Sequence, residues 1–387
     1  MIIMDLKLQN VLGFKDIHFN FSYPRKIKNN TLGDECLKGI PNFRYKKVNI
    51  IMGSNSNGKS SLGIAIWKIC MFLRNKESSN LFALLSDQAD FMNIDIDYVS
   101  RTSLNRYVLN RVRIRMEKEE SSPSGFDIRM DYENALLRND DTYESACLNL
   151  AMKAKNKDYI ECLNDISCSD GWFISMPITE TGFDDFVLNL DVKEREVFSK
   201  VLFKTLVTLD PNIQSVNASS EIDDAYIVKY DDGKNTLVKS GDKISDIRYL
   251  SSGTKYGFLI AKVFYFLGKH KNGLFYVDEL FSYINSDLEI AMLNTMIAML
   301  GDCEQLFFTT HNSEVLLLPF PLHSFLFLGK KKENGIASIN YVCASDVEKR
   351  NNVVIKNLYD NDAFDISPDT KEIFGLKDLF SDKENLK

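Results

Sequence analysis

Hydrophobic positions along this chain follow two spacings, and each spacing is typical of a different structural element. The runs Val48–Met52 and Leu274–Val277 are almost continuously apolar, which predicts buried strands of a mostly parallel sheet. Residues 258–267 repeat apolar side chains at helical spacing, which predicts an amphipathic helix. Between 249 and 345 the two patterns alternate, as expected for an α/β fold.

A third pattern, strict alternation of apolar and charged residues, predicts an antiparallel hairpin within 95–135. Arg111, Arg113 and Arg115 share one face of its first strand, and the second strand, 126–133, carries carboxylates and one arginine on the same face. The arginines either contact nucleic-acid phosphates or pair with carboxylates across the sheet. The second interpretation is favoured, because cross-strand pairs of opposite charge commonly stabilise sheets.

These patterns divide the chain into three expected parts. Residues 1–139 form an N-terminal half with the antiparallel lobe, 140–205 form an inserted helical lobe, and 206–387 form a C-terminal half. With 387 residues, of which 44% are hydrophobic, the chain can bury a large core, or a core with an additional lobe.

Charge and cysteine usage narrow the function classes. The formal charge is −7, whereas dedicated nonspecific nucleic-acid binders usually carry a basic surplus, so nucleic acid is not the favoured partner. No apolar run approaches the roughly 20 residues that span a bilayer, and no secretory signal is apparent, so we expect a cytoplasmic protein that is not inserted in a membrane. Dispersed cysteines predict reduced thiols rather than disulfides or a zinc site. They are Cys36, Cys70, Cys147, Cys162, Cys168, Cys303 and Cys343.

The most specific motif follows the first buried strand, where residues 53–60 read G-x-x-x-x-G-K-S before an apolar-periodic helix. This strand–loop–helix context predicts a phosphate-binding loop whose backbone N–H groups converge on an anion. Lys59 is expected to reach the β- and γ-phosphates, and the Ser60 hydroxyl to contact Mg²⁺. The chain is therefore predicted to bind a nucleoside triphosphate. The expected nucleotide-binding residues are Gly53, Ser54, Asn55, Ser56, Asn57, Gly58, Lys59, Ser60 and Ser61.

Three later segments carry further polar groups at the ends of predicted elements. Residues 251–253 are Ser-Ser-Gly before a helix, which is either a second anion site or an ordinary N-cap. Asp278 and Glu279 end a buried strand; Asp278 suits Mg²⁺ and Glu279 suits polarising water, unless the pair is only a solvated turn. His311 ends another apolar strand, where a structural role is the alternative.

In this order and spacing, the four segments resemble the ABC-type ATPases, in their SMC/RecF/OLD-like branch. The resemblance implies an α/β fold with a mixed, mostly parallel sheet, an antiparallel lobe and an inserted helical lobe. It implies ATP and Mg²⁺ as cofactors, with Ser60 and Asp278 at the metal. The implied catalytic residues are Lys59, Glu279 as general base, and His311 as the histidine that senses the γ-phosphate. The implied signature motif, which acts on the nucleotide of a second subunit, is Leu250, Ser251, Ser252, Gly253 and Thr254.

Both ends of the chain extend this resemblance. The opening strand, 6–16, is similar to that of RecF-like and OLD-like ATPases. The tail, 345–368, is similar to that of stand-alone bacterial ATPases of this group, many of which belong to anti-phage systems such as Septu and PARIS. Two positions depart from the family pattern: Thr254 follows the signature glycine, and Asn285 stands where relatives usually have a histidine. Gln88 is the only candidate for the glutamine that follows the phosphate loop in this family.

The resemblance implies an ATP-hydrolysing sensor or scaffold of a bacterial anti-phage complex. It would form a homodimer or higher homo-oligomer around ATP and hold a separate effector, a nuclease being the expected class. The alternative is a RecF/SMC-like ATPase that repairs or clamps DNA. A P-loop kinase would leave the Ser-Ser-Gly helix and His311 without a role. No Asp-x-Asp sequence lies on an apolar strand after His311, so we expect no nuclease activity from this chain alone.

Overall fold

The structure is a computed structural model that describes residues 1–23, 26, 31–122, 124–166, 171–176, 190–223, 225–239, 252–333, 336–350, 353–367 and 373–376. Its strands are β1 Ile2–Val11, β2 Phe14–Asn20, β3 Cys36–Leu37, β4 Ile40–Arg44, β5 Val48–Met52, β6 Phe91–Arg101, β7 Tyr107–Lys118, β8 Phe126–Leu136, β9 Ala151–Asp158, β10 Gly171–Ser175, β11 Ile213–Ala218, β12 Ala225–Tyr230, β13 Asn235–Lys239, β14 Asn272–Asp278, β15 Gln305–Thr310, β16 Phe325–Glu333 and β17 Ile336–Cys343. Its α-helices are α1 Lys59–Asn75, α2 Ser79–Phe82, α3 Tyr143–Leu148, α4 Tyr159–Asp165, α5 Val192–Leu209, α6 Ser252–Lys269, α7 Ser286–Met299, α8 Ala344–Val347 and α9 Ile355–Asp360.

The predicted parallel sheet has the order β10-β14-β15-β5-β16-β17, with only its last pair, β16–β17, antiparallel. Strands β5 and β15 are fully buried, because helices or a second sheet cover both faces. Alternate residues point to opposite faces: Ile51 packs towards α1, whereas Ile50 packs towards α6 and α7. The carboxyl ends of β5, β14 and β15 therefore meet at one edge of the sheet.

The second large sheet is antiparallel, in the order β2-β1-β6-β7-β8-β9, and it covers α1 from the other side. The two sheets are joined by hydrogen bonds from the fully buried side chain of Gln305. Its Oε1 accepts from Ile3 N at 2.9 Å, and its Nε2 donates to Ile3 O and Lys46 O, both at 3.1 Å. This satisfied amide fixes the antiparallel sheet against β15, the strand that ends one residue before His311.

The sheet arginines are neutralised, which confirms the favoured interpretation of their pattern. Arg111 lies opposite Glu133 in the β7–β8 register and binds Asp97 of β6 through Nε at 2.8 Å and Nη2 at 2.6 Å. Arg115 faces Arg129 rather than a carboxylate, and its partner is instead Asp95 of β6 at 2.8 Å. The carboxylates thus come from both neighbouring strands, and β6 supplies the shorter contacts.

Residues 140–205, expected as a helical lobe, contain strands as well as helices. β9 extends the antiparallel sheet, and β10 forms the edge of the parallel sheet beside β14. The apolar run 171–175 pairs as a strand because it can bury Phe173 against β14 and α6. The expected helical packing is found at α5, which lies along α6 together with the three-stranded sheet β11-β12-β13. Whether the three expected parts are separate domains stays a prediction.

Within the described ranges, no helix combines the length and the apolar character needed to cross a membrane.

Candidate functional site

The predicted phosphate-binding loop joins β5 to α1 at the carboxyl edge of the parallel sheet. Gly58 precedes the helix with φ 91°, a left-handed conformation that favours glycine. A Cβ on Gly53 would lie 2.4 Å from the carbonyl oxygen of Leu328, so only glycine lets the loop rest on β16. The Asn57 side chain stabilises this contact between the loop and β16 by donating to Leu328 O at 3.0 Å and to Ser54 Oγ at 2.8 Å.

The start of α1 has the electrostatic character of an anion site. None of the described first-turn residues of α1 is acidic. The first N–H groups of this 17-residue helix have no acceptor within the helix, and the helix dipole adds partial positive charge at this end. The first turn is anchored from below, because the buried Tyr276 hydroxyl of β14 donates to Lys59 O at 2.7 Å. The start of α1 is therefore anchored and presents its N–H donors next to the loop, forming a cradle that suits phosphate binding.

Lys59 lies inside this cradle, with a side chain that is only 3% exposed. Its Nζ donates to Gly53 O at 2.8 Å and Ser54 O at 3.2 Å, and it lies 3.2 Å from Glu279 Oε1. Burial lowers the pKa of the Lys59 amine, while the negative charge of Glu279 opposes that change. The ammonium is thus held by two carbonyls and one carboxylate, all of which a phosphate could replace.

Asp278 ends β14 next to this cradle and is fully buried. Its Oδ1 accepts a hydrogen bond from Thr309 Oγ1 of β15 at 2.7 Å. Its Oδ2 is buried and has no hydrogen-bond partner within the described part of the chain. Burial raises the pKa of Asp278, and the nearby hydroxyls of Ser60 and Thr309 oppose the rise. A buried, unpartnered carboxylate oxygen near Ser60 fits a cation or a cation-bound water.

Magnesium fits these residues only together with a phosphate ligand. Among the described residues, no group of three or more His, Cys, Asp or Glu side chains could hold a metal ion by itself. Protein sites for Mg²⁺–nucleotide usually provide one or two oxygens and leave the remaining positions to phosphate and water. The Ser60 hydroxyl and Asp278 Oδ2 are the two protein oxygens that match this pattern.

Glu279 and His311 complete the site. Glu279 Oε1 lies 2.9 Å from His311 Nε2 as well as 3.2 Å from Lys59 Nζ. The hydrogen bond from His311, with a further contribution from Lys59, lowers the pKa of Glu279 to about 2 against the effect of burial. Glu279 has φ 42°, a conformation that costs energy for a non-glycine residue and that clusters at functional sites. The structure thus brings both Lys59 and His311 into direct contact with Glu279.

Thr309 is a site residue that motif reasoning missed. Its hydroxyl donates to Asp278 Oδ1 and also accepts from the Glu279 backbone N–H at 2.9 Å, which supports the strained backbone. Its position could have indicated this role, because Thr309 lies near the end of the strand before His311. The ends of adjacent parallel strands lie side by side, so a residue there comes close to Asp278. In the observed register Thr309 lies opposite Asp278.

The structure describes only part of the predicted signature motif. Leu250 and Ser251 lie outside the described residues, while Ser252, Gly253 and Thr254 are the first residues of α6. Further along α6, Tyr256 contacts Tyr283 of the turn after Glu279, with ring centroids 5.0 Å apart. This contact links the start of the signature helix to the acidic strand end within one subunit.

The two departures and the candidate glutamine have defined places. Asn285, which replaces the family's histidine, is the N-cap of α7, where its side chain accepts from Asp287 N at 2.8 Å. Gln88 is exposed in the loop that precedes β6. Asn285 therefore has a local structural role, whereas the role expected of Gln88 stays a prediction.

Compared by sequence, the chain matches no protein-family model and no curated protein. Compared by structure, it is similar to the Smc head domain with an extended coiled coil bound to the C-terminal domain of ScpA, from Pyrococcus furiosus, at TM-score 0.50 and 12% identity over 90% of this chain and 98% of that one. It is also similar to an SmcHead bound to the C-winged helix domain of ScpA (TM-score 0.49, 15% identity, 90% and 100% covered) and to the SMC head domain from Thermotoga maritima (TM-score 0.45, 14%, 88% and 99%). The predicted fold class is confirmed: the chain has the α/β, ABC-type fold of SMC head domains.

Proposed function

We propose that this protein binds and hydrolyses ATP with Mg²⁺ at the edge formed by β5, β14 and β15. The observation that carries this proposal is the convergence of the Gly53–Gly58 loop, Lys59, Asp278, Glu279 and His311 at one place. These groups supply an anion cradle, a cation, a metal-facing oxygen and an acid–base pair, which together suit hydrolysis of a phosphoanhydride. A kinase would have no evident use for the Glu279–His311 pair.

In this proposal, the chain's own groups bind and orient the triphosphate. The loop N–H groups and Lys59 would hold the phosphates, and the oxygens of Ser60 and Asp278 would hold Mg²⁺ or its bound water. Bound Mg²⁺ supplies neutralisation of the charge that develops on the phosphate oxygens. Since a phosphate competes with Glu279 for the Lys59 ammonium, nucleotide binding would release Glu279 from one of its two cationic neighbours.

That release matters because an acid whose pKa is about 2 is a weak base near neutral pH. Moving Lys59 towards phosphate removes its part of the lowering of the Glu279 pKa, while the larger part, the hydrogen bond from His311, stays. It also frees the carboxylate from the ammonium, so that it can take a proton from the attacking water. His311, whose side chain is 35% exposed, would then hold Glu279 on one side and face the γ-phosphate on the other.

The proposed active assembly is a homodimer with two ATP molecules between its subunits. The helix start at Ser252–Thr254 would approach the partner's γ-phosphate, and the turn 282–285, where Tyr283 is 62% exposed, would face the partner. The Smc head domain at TM-score 0.50 is described as bound to a domain of another protein, ScpA. That precedent supports a separate partner for this chain, although it identifies none.

We propose that the partner is an effector, and that this chain is the ATP-driven sensor or scaffold of a bacterial anti-phage complex. The support is the resemblance of the tail, 345–368, to such ATPases, the net charge of −7 and the neutralised sheet arginines. A closing dimer is a switch, and it acts through different affinities for a partner in its two states. A nuclease is the expected effector class.

DNA clamping remains the second candidate because of one specific observation. A cleft of about 850 Å³ beside the ends of β7 and β8 contains four basic side chains, and no carboxylate belongs to its described lining. The basic residues are Lys38, Arg106, Arg138 and Lys153. The Arg138→Glu/Lys153→Glu double variant tests this candidate, because ATP hydrolysis stimulated by DNA and lost in that variant would favour it.

Phage-restriction assays test the defence proposal. The whole operon should protect cells, whereas this gene alone and the operon carrying Lys59→Ala should not. Full protection by this gene alone would contradict the scaffold role and indicate an effector activity within this chain.

A further inference from the structure

A second buried acid, Glu289 of α7, contacts the residues on both sides of His311. Its Oε1 accepts a hydrogen bond from Thr310 Oγ1 at 2.6 Å, and its Oε2 accepts one from Asn312 Nδ2 at 2.8 Å. The Asn312 backbone N–H in turn donates to Thr310 Oγ1 at 2.9 Å. One carboxylate therefore closes a ring of hydrogen bonds around the turn that carries the histidine.

Glu289 has no role in the site described so far, and its burial is costly. The residue is 4% exposed, and this burial raises the pKa of its carboxyl group, which the two hydrogen bonds oppose. An apolar residue at this point of α7 would avoid that cost, but it would leave the Thr310 hydroxyl and the Asn312 amide without their acceptor. The buried acid therefore fixes the geometry of the turn through contacts that only an acceptor at this position can make.

His311 needs such definition because packing holds it only in part. With 35% of its side chain exposed, the imidazole can change rotamer unless its backbone and neighbours are fixed. Glu289 fixes both flanking residues, and α7 itself begins a few residues after Glu279. The distance between His311 and Glu279 is therefore set twice: by their direct contact at 2.9 Å, and through α7 and Glu289.

We infer that Glu289 is a positioning residue that holds the turn of His311 in register with Glu279. This inference rests on the proposed ATP hydrolysis, in which that pair acts on water and γ-phosphate. Glu289 touches neither of them: it holds the turn through its hydrogen bonds with Thr310 and Asn312, and its charge also interacts with His311 through space.

Steady-state hydrolysis with Mg²⁺–ATP tests the inference in Glu289→Ala, Glu289→Gln and Thr310→Val. Misplacement by about 1 Å lowers rates on the order of 100-fold, so kcat of Glu289→Ala should fall to that extent while KM and the Kd for ADP stay within about twofold of wild type. Glu289→Gln keeps one acceptor oxygen and should recover part of kcat. The matched control is Asp287→Asn, an exposed acid two residues earlier on α7, which should hydrolyse ATP as wild type does.

The double variant Glu289→Ala/His311→Ala separates positioning from general destabilisation. If Glu289 acts through His311, the double variant should be no slower than His311→Ala, because the two effects are not independent. Multiplicative losses, or wild-type kcat in folded Glu289→Gln and Thr310→Val, would overturn the inference. If Glu289→Ala fails to fold, those two conservative variants decide.

A readout without hydrolysis keeps this inference separate from the proposed function. The chain has only four histidines, so the imidazole resonances of His311 can be assigned by NMR. They should shift in Thr310→Val, which keeps the Glu289 carboxylate but removes its hydrogen bond to the turn, and stay unchanged in Asp287→Asn. An unshifted His311 overturns the positioning role even if wild type hydrolyses ATP. A shifted His311 in a protein that hydrolyses no ATP supports the positioning and contradicts the function.

Discussion

Replacing Glu279 by glutamine separates nucleotide binding from hydrolysis at this site. The amide is nearly isosteric and keeps one oxygen that can accept from His311, but it cannot take a proton from water. General base catalysis contributes on the order of 100- to 10,000-fold, so kcat should fall by that factor. ATP affinity should not fall, because Glu279→Gln removes the negative charge that competes with phosphate for Lys59, 3.2 Å away.

The same substitution changes the pH dependence of stability with a sign that the structure fixes. In the folded protein His311 and Lys59 hold the pKa of Glu279 at about 2, below its ordinary value of 4.5. A carboxyl group whose pKa is lowered in the folded state stabilises the fold at pH values above its unfolded pKa. This contribution is lost as the pH falls through its folded pKa. The shift corresponds to at most about 3 kcal/mol at neutral pH, which wild type should lose between about pH 4.5 and pH 2.

Three assays check these expectations on Glu279→Gln and the matched control Asp287→Asn. Phosphate release and nucleotide titration give kcat and Kd, and urea unfolding at several pH values gives the free energy of unfolding. Glu279→Gln should bind ATP and hydrolyse it slowly. Its free energy of unfolding should fall less than that of wild type between about pH 4.5 and pH 2. A wild-type kcat in this variant would refute the base role. An equal loss of unfolding free energy at low pH in the variant and in wild type would refute the contacts of Glu279 with Lys59 and His311.

Further predictions concern the loop and the assembly. Lys59→Ala removes the buried ammonium and should weaken ATP binding by at least about 30-fold, equivalent to about 2 kcal/mol, as measured by titration. Gly58→Ala adds a Cβ at φ 91° and 2.8 Å from Ile339 Cδ1, and it should cost about 1–3 kcal/mol of stability and reduce ATP binding. The control Gly233→Ala, at φ 84° with open space around it, should lose stability only. Ser252→Arg should leave ATP binding to one subunit intact and prevent the ATP-dependent dimer, as measured by analytical ultracentrifugation; a normal dimer would contradict the cross-subunit role.

The convergence of the site was predictable because its motifs end neighbouring strands of a parallel sheet. Asp278, Glu279 and His311 follow continuous apolar runs, and the carboxyl ends of such strands share one edge. Gly58 and Lys59 belong to a motif whose spacing fixes its own loop. In these cases a short stretch of sequence is enough to predict where the side chain lies.

Contacts that depend on register or on a distant partner were not predictable. Thr309 acquires its role only because β15 pairs with β14 so that it faces Asp278. Glu289 reads as one more polar residue near a helix start, and only the tertiary packing of α7 buries it. The run 171–175 is too short to be assigned to a helix or a strand from its apolar residues alone, since a partner strand decides.

The most direct test of the central claim is a measurement of ATP turnover by the purified chain at matched concentrations of wild type, Lys59→Ala and Glu279→Gln, with Mg²⁺ and with a chelator. The account predicts that turnover per subunit rises with protein concentration as dimers form and disappears with the chelator. Turnover falls for different reasons in the two variants: Lys59→Ala binds ATP weakly, and Glu279→Gln binds ATP but hydrolyses it slowly. Equal turnover in wild type and both variants would contradict the assignment of this site.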